Sequence, residues 1–197
     1  LDVRDGEGVT RYQRVQQILG GWAQALPPEA GDNLSLVTIA GPLIAHTTPE
    51  AWLASFVAFL PDFRATTPNI QSLALSLDAA LAATPQVGMK RAILFITPHM
   101  EDPVLEAVLK TISERALASR TRINIWMVDG EKYFAHPSAL LLQSIAAQTG
   151  GSFMAFSGRE TLPDPDTYFA SLRRVYRLTY ASSLTSSGDH TLSVDVS

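Results

Sequence analysis

Cysteine is absent from the 197 residues, which excludes disulfide frameworks, thiolate zinc sites and cysteine nucleophiles. Charge is scarce: Asp, Glu, Lys and Arg make up 17% of the chain, with 15 Lys+Arg against 19 Asp+Glu and a formal net charge of −4. No cluster of Lys or Arg is longer than a pair. The chain therefore lacks the phosphate-neutralising footprint that nucleic acid or an anionic membrane surface demands. Long apolar runs are also missing, since none nears the roughly 18 consecutive residues of a membrane span. Leu1 to Gly8 is acidic and contains glycine, unlike a basic-then-apolar leader. These absences predict no nucleic-acid partner and no membrane insertion of this segment, and the chain reads as a soluble piece of protein.

The common catalytic signatures are missing too. Gly6-x-Gly8 continues with Val9, Thr10 and Arg11 instead of completing G-x-G-x-x-G, and the chain holds neither a phosphate-binding G-x-x-x-x-G-K-[ST] loop nor a G-x-S-x-G elbow. The four histidines, His46, His99, His136 and His190, are dispersed, with no pair at H-E-x-x-H spacing. The expectation is a protein that is not an enzyme.

What is there is apolar: 46% of the residues are hydrophobic, enough for one ordinary domain with its own core. Short β-branched runs alternate with longer segments of helical spacing, the pattern of an α/β domain. A first helix is expected from Val9 to Leu26 with Val15, Leu19, Trp22 and Leu26 on one face, stopped by Pro27 and Pro28. Leu34 to Ile39 and Leu43 to Thr47 read as strands, and the tight Gly41-Pro42 connection makes them an antiparallel pair.

Thr48-Pro49, Thr67-Pro68, Asp102-Pro103 and Asp164-Pro165 each set a capping oxygen before a proline at the first helical position. The helices that follow are expected to turn inward Leu53, Phe56, Val57 and Leu60; then Ile70, Leu73, Leu77 and Leu81; then Leu105, Val108, Leu109 and Ile112; and last Phe169 with Leu172. Another helix, from Pro137 to Gln148, closes at Gly150-Gly151. Ala92 to Thr97 and Ile123 to Asp129 are near-continuous apolar runs, as expected of parallel strands covered on both faces, and Phe153 to Phe156 is a third strand. Val175 to Ala181 and Thr191 to Val196 alternate apolar and polar residues and read as a half-exposed hairpin. The expected division is an α/β domain over 1–174 and a C-terminal β-hairpin extension over 175–197, packed on it or starting a following domain.

In this order of elements the chain resembles a von Willebrand factor type A domain. The stretch Lys90 to Asp102, KRAILFITPHMED, resembles that family's fourth strand, which usually runs on into Thr-Asp-Gly. Ile123 to Asp129 is similar to the next strand, and Leu141 to Ser157 to a helix that ends in Thr-Gly-Gly and leads into the last core strand. The tail YRLTYASS…HTLSVDV is similar to a strand pair that follows the domain in bacterial extracellular members. The resemblance implies a doubly wound, Rossmann-like sheet, parallel apart from one antiparallel edge strand at Leu43 to Thr47, with helices on both faces. It implies a protein-binding or adhesion module of a larger bacterial surface or secreted protein, hence an extracytoplasmic location. Its partner would be another protein or neighbouring domains of its own chain. Only Leu1, Asp2 and Val3 precede the first loop, so the family's central first strand is expected either to begin upstream of this chain or to have its slot filled otherwise.

The family holds a divalent cation, usually Mg²⁺, on a D-x-S-x-S loop, a Thr from a second loop and an Asp from a third. Here the first loop reads Asp2-Val3-Arg4-Asp5-Gly6. Asp2 matches, but Arg4 and Gly6 replace both serines, and a guanidinium offers no lone pair and sets positive charge where the ion would sit. Thr67, or its neighbour Thr66, matches the second-loop threonine, whereas Pro98, in Thr97-Pro98-His99-Met100, replaces the third-loop acid. The resemblance thus implies a degenerate metal site and no cofactor. The alternative is a rearranged Mg²⁺ site with ligands among Asp2, Asp5, Thr67, Glu101 and Asp102; Glu7 is a further acid near that loop. Asp102, however, is already explained as a helix cap, and Asp5 and Glu7 flank turn glycines. A separate expectation has Arg4 stand in for the cation and receive an acidic side chain from the partner.

The expected binding surface comprises Asp2, Arg4, Asp5, Gly6, Thr67, Pro98 and His99. Among the histidines, His99 lies at the functional end of the sheet beside Glu101 and Asp102. His46 on its strand, His136 just before a helix and His190 in the hairpin have local explanations. Trp22, Trp52 and Trp126 fall at positions with apolar neighbours and are read as core. Tyr133 and Phe134 are secondary candidates, because they follow a parallel strand at the ligand-facing end of such sheets. The alternative of another class is a small-molecule-binding or enzymatic site near His99.

Overall fold

Thr10 opens the first helix by accepting a hydrogen bond from the Gln13 amide while the Gln13 side chain accepts from the Thr10 amide, a reciprocal capping box. The computed structural model describes residues 4, 7–27, 32–38, 44–59, 70–82, 90–101 and 104–173. Among them are six α-helices: α1 Arg11–Ala25, α2 Pro49–Ala58, α3 Gln71–Ala82, α4 Leu105–Ala118, α5 Pro137–Gln148 and α6 Asp166–Arg173. The strands are β1 Leu34–Leu36, β2 Ile44–Thr47, β3 Arg91–Thr97, β4 Thr121–Val128 and β5 Phe153–Phe156.

β3, β4 and β5 form an open parallel sheet in that order, with Thr97 opposite Met127 and Val128 opposite Phe156. β4 is central, and its eight residues are buried except Arg122. That explains its near-continuous apolar run from Ile123 onward, because both of its faces are covered; the buried exception, Asn124, accepts from the Ser152 amide. Ile123 and Ile125 turn to one side with Ile93 and Phe95, where α3, α4 and α5 supply Leu73, Leu77, Leu109, Ile112 and Leu142. Trp126 and Val128 turn to the other, against Val15, Leu19 and Ala23 of α1, Trp52 and Phe56 of α2, and Tyr168 of α6. Helices therefore lie on both faces of the parallel sheet, as expected.

β1 and β2 pair antiparallel, Leu34 with Thr47 and Leu36 with Ile44, as the Gly41-Pro42 connection suggested. They form a two-stranded sheet of their own: among the described residues neither joins β3, β4 or β5, so the expected antiparallel edge strand of the parallel sheet is not seen there. The hairpin over 175–197 and the first strand at Leu1 to Val3 lie outside the described residues, as do Thr67-Pro68 and Asp102-Pro103.

Three expected faces need correction. On α2 the buried pair is Trp52 and Phe56, while Val57 is 57% exposed; the Trp52 indole stacks on Phe56, and its Nε1 reaches the Ser35 carbonyl, which turns this face of the helix inward. On α1 Ala23 takes the buried position after Val15 and Leu19, and Trp22 is only half buried because its indole leans outward to Asp166, with Nε1–Oδ1 at 2.7 Å. On α6 Tyr168 is the buried residue and Phe169 is half buried. Leu81 also lies nearer the surface than expected, at the end of α3. At the start of α4 the N-cap is Val104, which makes no side-chain capping bond.

α5 has the expected limits. His136 is its N-cap, with Nδ1 accepting from the Ser138 amide, and Pro137 follows. At its far end Gly150 adopts φ +72°, and a Cβ on Gly151 would lie 2.0 Å from the Ile123 carbonyl oxygen, so only glycine lets this turn press against β4.

Candidate functional site

Parallel pairing of Thr97 with Met127 sends the chain out of β3 and β4 at the same edge of the sheet, the end at which open α/β sheets take their ligands. Residues 98–101 and 129–136 meet there. Asp129 joins them: one carboxylate oxygen, Oδ2, accepts from the His99 amide at 2.9 Å and lies 2.5 Å from His99 Nδ1, while Oδ1 accepts from the Gly130 amide at 2.7 Å. Only 14% of the Asp129 side chain is exposed. Burial pushes its carboxyl pKa up, but the bonds from the His99 ring and from the His99 and Gly130 amides, with the charge of His99, outweigh burial and hold it below the usual carboxylate value.

An ionised Asp129 can only accept, so the proton of that contact sits on His99 Nδ1. In the neutral ring this leaves the lone pair on Nε2, which lies 3.7 Å from Glu101 Oε1. The ring is held on a face as well: Tyr133, in the 3-10 turn Glu131–Tyr133, stacks on it with centroids 3.6 Å apart and planes 9° from parallel. Lys132 Nζ lies 4.7 Å from the Tyr133 ring centre. The His136 ring stands edge-on to His99 at 5.4 Å and to Tyr133 at 6.4 Å. Ser138, buried at the start of α5, links the two loops, since its hydroxyl accepts from the Met100 amide and contacts His136 Nδ1.

The expected site residues divide as follows. His99, Tyr133 and Glu101 are brought together. Pro98 is half buried, and its carbonyl accepts from the buried Thr97 hydroxyl at 2.9 Å, which turns that hydroxyl back on its own loop. Arg4 is exposed, bridges to Thr10 in antiparallel fashion and donates to the Gly8 carbonyl at 3.0 Å, so its guanidinium is tied to its own turn. Phe134 is half buried, and its amide donates to the Glu131 carbonyl at 3.0 Å. Asp2, Asp5, Gly6, Thr67 and Asp102 lie outside the described residues. Among the described residues no three His, Asp or Glu side chains stand together in a way that would hold a metal ion, and no helix is long and apolar enough to cross a membrane.

Asp129 and His136 are the members that reading the sequence missed. Asp129 had a signal: it is the lone acid ending a near-continuous apolar run, at the carboxyl end of a parallel strand. His136 had none beyond its place before a helix. A groove of about 410 Å³ between α1 and α2, lined by residues such as Leu26, Leu53 and Val57, includes no member of the His99 cluster. No family model matches the chain, and no curated protein matches it.

Proposed function

We propose that the chain is a non-catalytic protein-interaction module of the von Willebrand factor type A kind, doubly wound and Rossmann-like, whose cation site has degenerated. Its binding face is the carboxyl end of β3 and β4. The observation that carries this reading is the third loop: Pro98 stands at the acid's position, and the next residue, His99, is clamped by Asp129 and stacked on Tyr133. In place of oxygen ligands this loop offers a rigid imidazole edge and a phenol ring. Rigid aromatic groups lose little entropy on binding, which suits them to protein recognition. In this reading the module belongs to an extracytoplasmic protein of bacterial surface or secreted type and meets either another protein or a neighbouring domain of its own chain.

The first test is the thermal midpoint of the purified chain in EDTA and then in millimolar Mg²⁺, Mn²⁺ or Ca²⁺. A ligand at 100 times its Kd stabilises by about 2.7 kcal/mol. No shift is expected; a rise of several degrees would overturn the degenerate site and direct attention to Asp2, Asp5, Thr67, Glu101 and Asp102 as ligands. The second compares proteins crosslinked to the wild-type chain and to a Tyr133→Ala variant in EDTA. A partner held by the wild type and lost by the variant supports the binding face. A partner held equally by both moves that face elsewhere.

A further inference from the structure

His99 has the anatomy of a metal-binding imidazole, in a place where the family resemblance supplies none. In metal sites a ligating histidine commonly gives one ring N–H to a carboxylate, which fixes the ring and keeps the other nitrogen's lone pair free. Asp129 makes that contact with Nδ1 at 2.5 Å, and Tyr133 holds the ring's face. Nε2 then stands 3.7 Å from a carboxylate oxygen of Glu101, whose side chain is 73% exposed and free to swing. Two donors about 2.0 to 2.1 Å from one Zn²⁺ at a tetrahedral angle lie roughly 3.4 Å apart, so a small movement of Glu101 closes the pair on an ion.

We propose that His99 Nε2 and Glu101 form a two-residue site for a borderline divalent cation of the Zn²⁺, Co²⁺ or Cu²⁺ class, with Asp129 as the residue that positions the imidazole. A nitrogen donor beside a carboxylate selects these ions over Mg²⁺ and Ca²⁺, which take oxygen. His136 is not the third ligand: its Nδ1 accepts from the Ser138 amide, which puts the neutral ring's proton on Nε2. That agrees with the lack of a three-residue ligand group among the described residues. The other coordination positions are left to water or to a donor from whatever docks. The site lies on the binding face proposed above, so this inference shares that location but not its claim about partners.

The test is titration of the metal-free chain with Zn²⁺, and with Co²⁺ for its visible absorption, followed by calorimetry and by the imidazole ¹⁵N resonances. One ion per chain is expected to bind with half-saturation below about 1 mM, with the largest resonance change at His99. Glu101→Gln, at an exposed position, should weaken binding without unfolding the chain, His99→Ala should abolish it, and Asp129→Asn should weaken it by about 10- to 100-fold. His136→Ala should leave the stoichiometry unchanged. No saturable binding, or binding indifferent to His99→Ala and Glu101→Gln, overturns the inference. The two proposals fail separately: a thermal shift with Mg²⁺ would undo the degenerate-site reading, whereas indifference to Zn²⁺ would undo this one alone.

Discussion

The two faces of the parallel sheet are built from different materials. On one side Ile123 and Ile125 meet Leu73, Leu77, Leu109, Ile112, Leu142 and Ile145, a mainly aliphatic layer whose aromatics are Phe95 and the half-buried Phe153. On the other, Trp126 meets Trp52, Phe56, Tyr168 and the half-buried Trp22 and Phe169. The large side chains of the aliphatic layer carry no hydrogen-bonding groups and hold by area and shape, with polar links beside them from Ser113 to Gln148 and from the Ile123 amide to the Thr149 hydroxyl. The aromatic layer carries polar handles, and each is paired with a distant part of the chain: Trp126 Nε1 donates to the Tyr168 hydroxyl at 3.0 Å, Trp52 Nε1 to the Ser35 carbonyl at 3.2 Å and Trp22 Nε1 to Asp166 at 2.7 Å. Arg173 ties Asp32 and Asp166 together beside it. In one layer the core side chains themselves are placed by packing, in the other by packing and by their own hydrogen bonds, which fix where α6 and β1 sit.

Predictions that strain this comparison run from large to small. Gly151→Ala should cost about 4 kcal/mol or more, because a backbone carbonyl of β4 occupies the space of the new Cβ; chemical denaturation would measure it. Trp126→Ala should cost about 3–5 kcal/mol and Leu73→Ala about 2–5 kcal/mol. The comparison is sharpened by Tyr168→Phe. Removing one hydroxyl strands a buried indole N–H, at about 1–3 kcal/mol, whereas Ile123→Val, a similarly small change in the aliphatic layer, should cost about 0.5–1.5 kcal/mol. Equal losses from these two would mean that the indole bond adds no specification.

Acid should act on the aromatic side and on the His99 site through Asp166 and Asp129. Burial raises both carboxyls, but bonds from Trp22 and Arg173 to Asp166, and from His99 and Gly130 to Asp129, win and lower them. A carboxyl whose folded pKa lies below its unfolded value adds stability that is complete above the unfolded value, near 3.8, and fades as pH falls through the lower folded one. Denaturation midpoints should thus decline as pH drops below about 4, and Asp129→Asn should flatten the decline. The smallest effect is expected for Leu140→Ser, at a position 63% exposed, within about 0.5 kcal/mol of wild type.

Much of the architecture was legible in the sequence. α5 keeps its expected limits because His136-Pro137 and Gly150-Gly151 punctuate it chemically at both ends, and β4 was plain because a strand covered on both faces is apolar over most of its length. Faces were harder to read. On α2 the spacing of Leu53, Phe56 and Val57 is as helical as that of Trp52 and Phe56, and only the volume left by α1 and β1 decides between them. The site was half legible: the place of His99 after a strand marked it, and Tyr133 could be suspected from the loop after β4. Asp129 escaped because its role depends on a partner 30 residues away.

Local chemistry therefore determined the elements by itself: caps, breakers and apolar periodicity act over a few residues and can be read in a line. It also determined the charge and the lack of a basic footprint. The tertiary structure alone decided which side chains share a wall of the core and which polar atoms find each other across the sheet's edge. A parallel sheet brings together segments far apart in sequence, and pairing the half-buried carboxylate of Asp129 with the ring of His99 depends on the register of β3 against β4.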